Sequence, residues 1–170
     1  AEAMGMSLTG GAIIPAPYKE RENISFNTGK RIVDMVHEDL TPSKIMTKNA
    51  FENAIYVASA IGASSNCPPH LSAIARHMGI DFDIDNWQKL GHDIPLLVNC
   101  QPAGEYLMEG FFKAGGIPAV MQELLKNNKL HKNEMTVTGK TIEENLNIKI
   151  NVDNNIIKSF KNPLVENAGF

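Results

Sequence analysis

The run "IPLLVN", Ile94 to Asn99, constrains the fold more than any other stretch of the sequence. It is continuous, apolar and too short for a helix, with Gly91 before it and the turn "CQPAG" after it. Such a run predicts a strand buried on both faces, because a strand with one wet face would alternate polar and apolar residues. A strand buried on both faces needs a layer above and a layer below. The residues beyond the turn supply one, since Tyr106, Leu107, Phe111 and Phe112 predict a helix. "MTVTGKT" predicts a second strand. Helices alternating with buried strands give a layered α/β/α fold as the expected class.

Helix signals account for most of the rest. After the loop-like "TGGAIIPAPY", a helix is expected from Lys19 to Asp39 with Thr28, Ile32, Met35 and Val36 as its buried stripe. Thr41 with Pro42 marks a helix start, because proline at the first helical position has no N–H that needed a partner. Thr47 reads as a cap for a helix whose Phe51, Ala54, Ile55 and Ala58 follow an apolar spacing that Gly62 ends. Asn66 reads as the cap of the next, with Leu71, Ile74, Ala75 and Met78 facing the core. "DIDNWQKLG" is a short helix. Gly115 and Gly116 close one helix, and Pro118 opens another with Val120, Met121, Leu124 and Leu125 inside. Thr141 and Glu144 form a capping box. Beyond Leu146 the Asn- and Lys-rich sequence has weak periodicity and reads as an extended connector.

With 170 residues and 43% apolar content the chain can bury a core. Its net charge of −3 is dispersed, and no basic cluster interleaves with aromatics, which argues against nucleic acid as a partner. No apolar run approaches the roughly 18 residues of a membrane span. Two cysteines, Cys67 and Cys100, are too few for a disulfide framework and point to a reducing, cytoplasmic setting. The opening "AEAMGM" reads as the end of a helix already under way, and "VENAGF" as an abrupt stop. The expectation is a processed chain or a segment of something longer.

The richest stretch chemically is "IGASSNCPPHLSAIARH", Ile61 to His77. Cys67, His70 and His77 can share one side of a helix, but His37, His92 and His131 are scattered and supply no further ligands at a recognisable spacing. Ser64 or Ser65 with His70 lacks the G-x-S-x-G elbow of a hydrolase. Pro68 and Pro69 remove two of the N–H groups with which a helix start would cradle phosphate. The "GKT" at Gly139 to Thr141 is no P-loop, because the motif needs glycine at position 134, where Glu134 stands. Asn99 and Gln101 follow the predicted strand, at the edge where open α/β sheets bind ligands, although a polar loop satisfying its own backbone has the same composition.

Taken together, "EAMGMSLTG", "IGASSNCPPHLSAIARH", "GHDIPLLVNCQPAGEYLMEGFFKAGGIPAV", "MTVTGKTIEEN" and "PLVENAGF" resemble the iron-sulfur dehydratases, a family that includes the dihydroxy-acid, phosphogluconate and sugar-acid dehydratases. The resemblance implies the later part of a larger N-terminal dehydratase domain at 1–146, with 147–170 leading toward a C-terminal domain. It also implies an iron-sulfur cluster and a magnesium ion, a sugar acid or branched dihydroxy acid as substrate, and a homo-oligomer in the complete enzyme. The family's cluster cysteines, magnesium ligands and catalytic serine have no counterpart here, so no catalytic or metal-binding residue is expected in this segment. Where the family reads G-G-S-T-N-A, this chain has Gly62, Ala63, Ser64, Ser65, Asn66 and Cys67. Cys67 and Cys100 depart from the family pattern and read as small buried hydrophobes. The residues expected near the site are Ser64, Ser65, Asn66, His70, Asn99 and Gln101. "LLVNCQPAGEY" resembles the sugar-acid branch. The alternatives are a dihydroxy-acid dehydratase of branched-chain amino-acid synthesis and a non-catalytic α/β module for binding or assembly.

Overall fold

A computed structural model describes residues 1–168; Gly169 and Phe170, the end of the "PLVENAGF" motif, lie outside the described residues. After a short 3₁₀ helix at Glu2–Met4 come α1 Lys19–His37, α2 Pro42–Ile45, α3 Lys48–Ile61 and α4 Cys67–His77. There follow α5 Ile84–Gly91, α6 Met108–Lys113, α7 Gly116–Lys126 and α8 Ile142–Leu146.

Helix α3 is the hub. Its Thr47 side chain accepts the Ala50 N–H at 3.1 Å, and Gly62, at φ 62°, ends it in the left-handed conformation that glycine adopts without strain. Phe51, Ala54, Ile55 and Ala58 pack against Met4, Ala75 of α4 and Trp87 of α5. Val57 and Ala60 face the other way, into a larger core with Phe111, Val120, Met121 and Leu124. Alanines and Ser59 keep the helix thin enough to be buried on both sides. Several local signals hold in the structure: the capping box of Thr141 and Glu144, proline opening α2, and Gly62 closing α3. Asp83 and Asn86 form a further capping box at α5.

The expected sheet does not form among the described residues. Ile94, Leu96, Leu97 and Val98 are buried, as their composition requires, but the segment makes only isolated bridges, Leu96 to Val165 and Val98 to Ile157. The reason lies in how their backbone groups are partnered. Pro95 has no N–H, the Leu97 N–H goes to the Ala60 carbonyl at the end of α3 (2.8 Å), and the Leu96 and Asn99 N–H groups go to Val165 and Ile156. Residues 135–141 likewise form a tight turn with one bridge, Met135 to Thr141, in place of a strand. The described residues are therefore mostly helical rather than a layered α/β/α sheet fold. The segment after Leu146 returns to the core, with Ile156 and Ile157 buried.

The stripe expected on α1 is also corrected. Met35 is buried, whereas Ile32 is 54% and Val36 73% exposed, and Thr28 is exposed as well. What anchors α1 is a pair of arginines. Arg21 donates to the carbonyls of Gly11 and Ile14, and Arg31 to the Val137 carbonyl and the Glu38 carboxylate. The helix stops where Asp39 turns left-handed (φ 52°) and the Leu40 N–H reaches back to the Met35 carbonyl at 2.9 Å.

Candidate functional site

A cleft of about 380 Å³ opens between the Glu2 turn, the loop at 10–14, α3 and the start of α4. Its floor is aliphatic, with Ala54, Val57, Ala58 and Ile61 from α3 and Ile117 from α7. Its polar groups are Asn66 and His70, both exposed, and the buried Glu2. Gly62 makes this geometry possible: it ends α3 and lets the chain reverse through Ser64 and Ser65 into α4, which packs back on α3 through Ala75.

Asn66 stands at the position of a cap but does not act as one. It has helical φ and ψ of −76° and −16°, and its side chain accepts no backbone N–H. A capping side chain needs the N–H of the second or third helical residue, and those are Pro68 and Pro69, which have none. The turn is closed instead by Ser64, whose Oγ accepts the Asn66 N–H at 3.2 Å and whose carbonyl accepts the Cys67 N–H at 2.9 Å. Among the described residues the Asn66 amide side chain has no hydrogen-bond partner, and it stands at the edge of the cleft.

The six residues singled out from sequence are not gathered in one place. Asn66 and His70 line the cleft, while Ser64 and Ser65 form the exposed turn behind them and are not part of its wall. Asn99 and Gln101 lie elsewhere. Asn99 is buried and occupied: its Oδ1 accepts the Glu105 N–H at 3.0 Å and its Nδ2 donates to the Asn155 carbonyl at 3.4 Å. Gln101 is exposed, with its N–H on the Tyr106 carbonyl at 2.8 Å.

Two residues at or behind the cleft carry no motif. Glu2 is 6% exposed, and its Oε1 and Oε2 accept the N–H groups of Gly10 (2.5 Å) and Ala12 (2.9 Å). Burial pushes its carboxyl above the ordinary glutamate range, and the two N–H groups pull partly the other way. Arg21 grips the same loop from its other side. A glycine-rich loop whose backbone N–H and carbonyl groups need partners was the available signal for both.

Neither an iron-sulfur cluster nor a divalent cation fits the residues present. Among the described residues no three His, Cys, Asp or Glu side chains converge as a metal ion requires. Cys67 packs with the α3–α5 core and Cys100 with the other one. Burial pushes the Cys100 thiol up, and its Sγ donates to the Leu107 carbonyl at 3.7 Å. A thiol so placed stays protonated, whereas a metal ligand must be a thiolate.

Comparison with known proteins connects this geometry to a chemistry. The chain is 52% identical over 170 residues to D-xylonate dehydratase of Caulobacter vibrioides, covering 100% of this chain and 28% of that protein. It is 46% identical over 169 residues to L-arabinonate dehydratase of Rhizobium leguminosarum bv. trifolii, covering 99% of the chain and 29% of the relative. Against a dihydroxy-acid dehydratase of Acetivibrio thermocellus the identity is 42% over 169 residues, covering 99% of the chain and 30% of the relative. The chain thus spans less than a third of the length of these relatives. Residues 1–145 match the family described as dihydroxy-acid/6-phosphogluconate dehydratase N-terminal, and the chain belongs to that dehydratase family.

Proposed function

We propose that the complete protein is a hydro-lyase that dehydrates a sugar acid, a 2,3-dihydroxy acid, to a 2-keto-3-deoxy acid. In this reaction the C3–O bond breaks, the C2 proton is lost, water leaves, and the resulting enol takes a proton at C3 to become the ketone. The observation that carries the reading is the gradation of identity along the same residues, higher to the two sugar-acid dehydratases than to the dihydroxy-acid dehydratase. An iron-sulfur cluster and a magnesium ion, which residues outside these 170 would hold, would supply the Lewis acidity that a hydroxide leaving group needs. This chain supplies a wall of the substrate site, where Asn66 and His70 offer hydrogen bonds to substrate hydroxyls or carboxylate. Ser64 holds the turn that presents them, and Ser65 lies exposed within it. Asn99 and Gln101 belong to the polar surroundings at the end of the buried extended segment.

Within the complete protein, 1–146 forms the later part of the N-terminal domain, and 147–170 leads toward a C-terminal domain. The full protein is a cytoplasmic homo-oligomer. The free thiols of Cys67 and Cys100 support a reducing compartment, and among the described residues no helix is long and apolar enough to cross a membrane.

A second reading, dehydration of a branched dihydroxy acid, is favoured by one observation: the cleft floor is aliphatic and suits a hydrocarbon branch. The test is anaerobic reconstitution of the complete polypeptide with iron, sulfide and magnesium, followed by incubation with pentonates, hexonates and 2,3-dihydroxyisovalerate. The expected result is a 2-keto-3-deoxy acid from a sugar acid. Keto acid from the branched substrate alone supports the second reading, and no product from any acid points to a non-catalytic binding or assembly module.

A further inference from the structure

The loop at Gly10–Ile14 is held more firmly than its composition suggests. Glu2 takes two of its N–H groups, from Gly10 and Ala12, with one carboxylate oxygen for each. Arg21, on α1, donates to two of its carbonyls, at Gly11 and Ile14. Two oppositely charged side chains from separate elements thus grip alternating backbone groups of one short loop, and each such bond has an ionised partner, the stronger class of hydrogen bond. A third anchor comes from packing. Ile13 lies against Gly116, where a Cβ would stand 3.0 Å from its Cδ1. Ala12 and Ile13 form the cleft wall that shares its space with Asn66 and His70.

We propose that the Gly10–Ile14 loop is a fixed, substrate-facing wall of this cleft, and that Glu2 and Arg21 are the positioning residues that hold it. The inference rests on the dehydratase reading above and adds to it the part of the site that sets the width available to substrate. Ala12 is the specificity-determining position: it is exposed and small, so a larger side chain there narrows the cleft without touching the clamp. Glu2 is buried, with both carboxylate oxygens committed to the loop, and so serves as a positioning residue. Changing it to glutamine keeps the shape but sets an amide N–H₂ against a backbone N–H, so one of the two bonds cannot be made.

The experiment uses the complete polypeptide with Glu2→Gln and Ala12→Leu, steady-state kinetics on the acid that the unmodified protein turns over best, and amide hydrogen exchange of residues 8–14. For Glu2→Gln the expected results are a rise of about tenfold in KM with kcat within about twofold, and exchange at Gly10 and Ala12 accelerated by about tenfold or more. For Ala12→Leu, at an exposed position, a similar rise in KM is expected with exchange unchanged. An unchanged KM in Ala12→Leu overturns the proposal, as does a Glu2→Gln loop that exchanges no faster than in the unmodified protein. Absence of turnover in the unmodified protein sinks the dehydratase reading and this inference with it, whereas turnover with unmoved KM values sinks the inference alone.

Discussion

Asn66 shows how a neighbour two residues away can cancel a side chain's usual role. Asparagine before a helix ordinarily caps it, and its loss costs about 1 kcal/mol. Here Pro68 and Pro69 remove the donors, and Ser64 holds the turn. Asn66→Ala is therefore expected to change unfolding free energy by less than about 0.5 kcal/mol, as an uncommitted surface residue would, while Ser64→Ala costs about 0.5–1 kcal/mol. Denaturant melts of the two variants side by side check this, and the reverse order would restore Asn66 as the cap. Glu2 gives a pH signature with a definite sign. Its carboxyl is raised above an ordinary value near 4.5, so the folded state holds the proton more tightly than the unfolded state. Its contribution is then most favourable below that ordinary value and is lost as pH rises toward the raised one. Glu2→Gln should flatten the fall in stability across that interval, measured as Tm against pH.

At the scale of elements, most features decided within a few residues were legible in the sequence, the Asn66 cap excepted, and features decided by distant partners were not. The Thr141–Glu144 capping box and the Gly62 stop depend only on local backbone geometry, and both stand as read. The buried character of Ile94–Val98 was legible from composition, but not its pairing, because Ala60, Ile156 and Val165 are far away in sequence. The stripe on α1 misled for a related reason: periodicity reports which residues share a face, not whether anything covers it. Glu2 went unread because no motif marks a carboxylate whose partners are backbone N–H groups eight and ten residues on. The contrast between helices can be measured. Val36→Ser on α1 should alter stability by less than about 0.5 kcal/mol, whereas Phe51→Ala, at a fully buried position of α3, should cost about 3–5 kcal/mol. Equal costs would mean that the exposed face of α1 is covered in the folded protein.

At the scale of the whole molecule, the proposed function gives this chain a scaffold and one wall of a site, and among the described residues no three metal-ligating side chains converge. Cys67→Ser and Cys100→Ser in the complete protein should therefore leave the visible absorption of a reconstituted cluster unchanged; its loss in either variant would make that thiol a ligand. The central claim is that the wall belongs to a site for a polyhydroxylated acid. A site that hydrogen-bonds substrate hydroxyls discriminates strongly, because a hydrocarbon in their place leaves buried polar groups unpaired. The most direct measurement is kcat/KM of the complete protein for a pentonate and for 2,3-dihydroxyisovalerate under identical anaerobic conditions. A ratio of about a hundredfold or more in favour of the pentonate is expected for such a site; a ratio that favours the branched acid would rule it out.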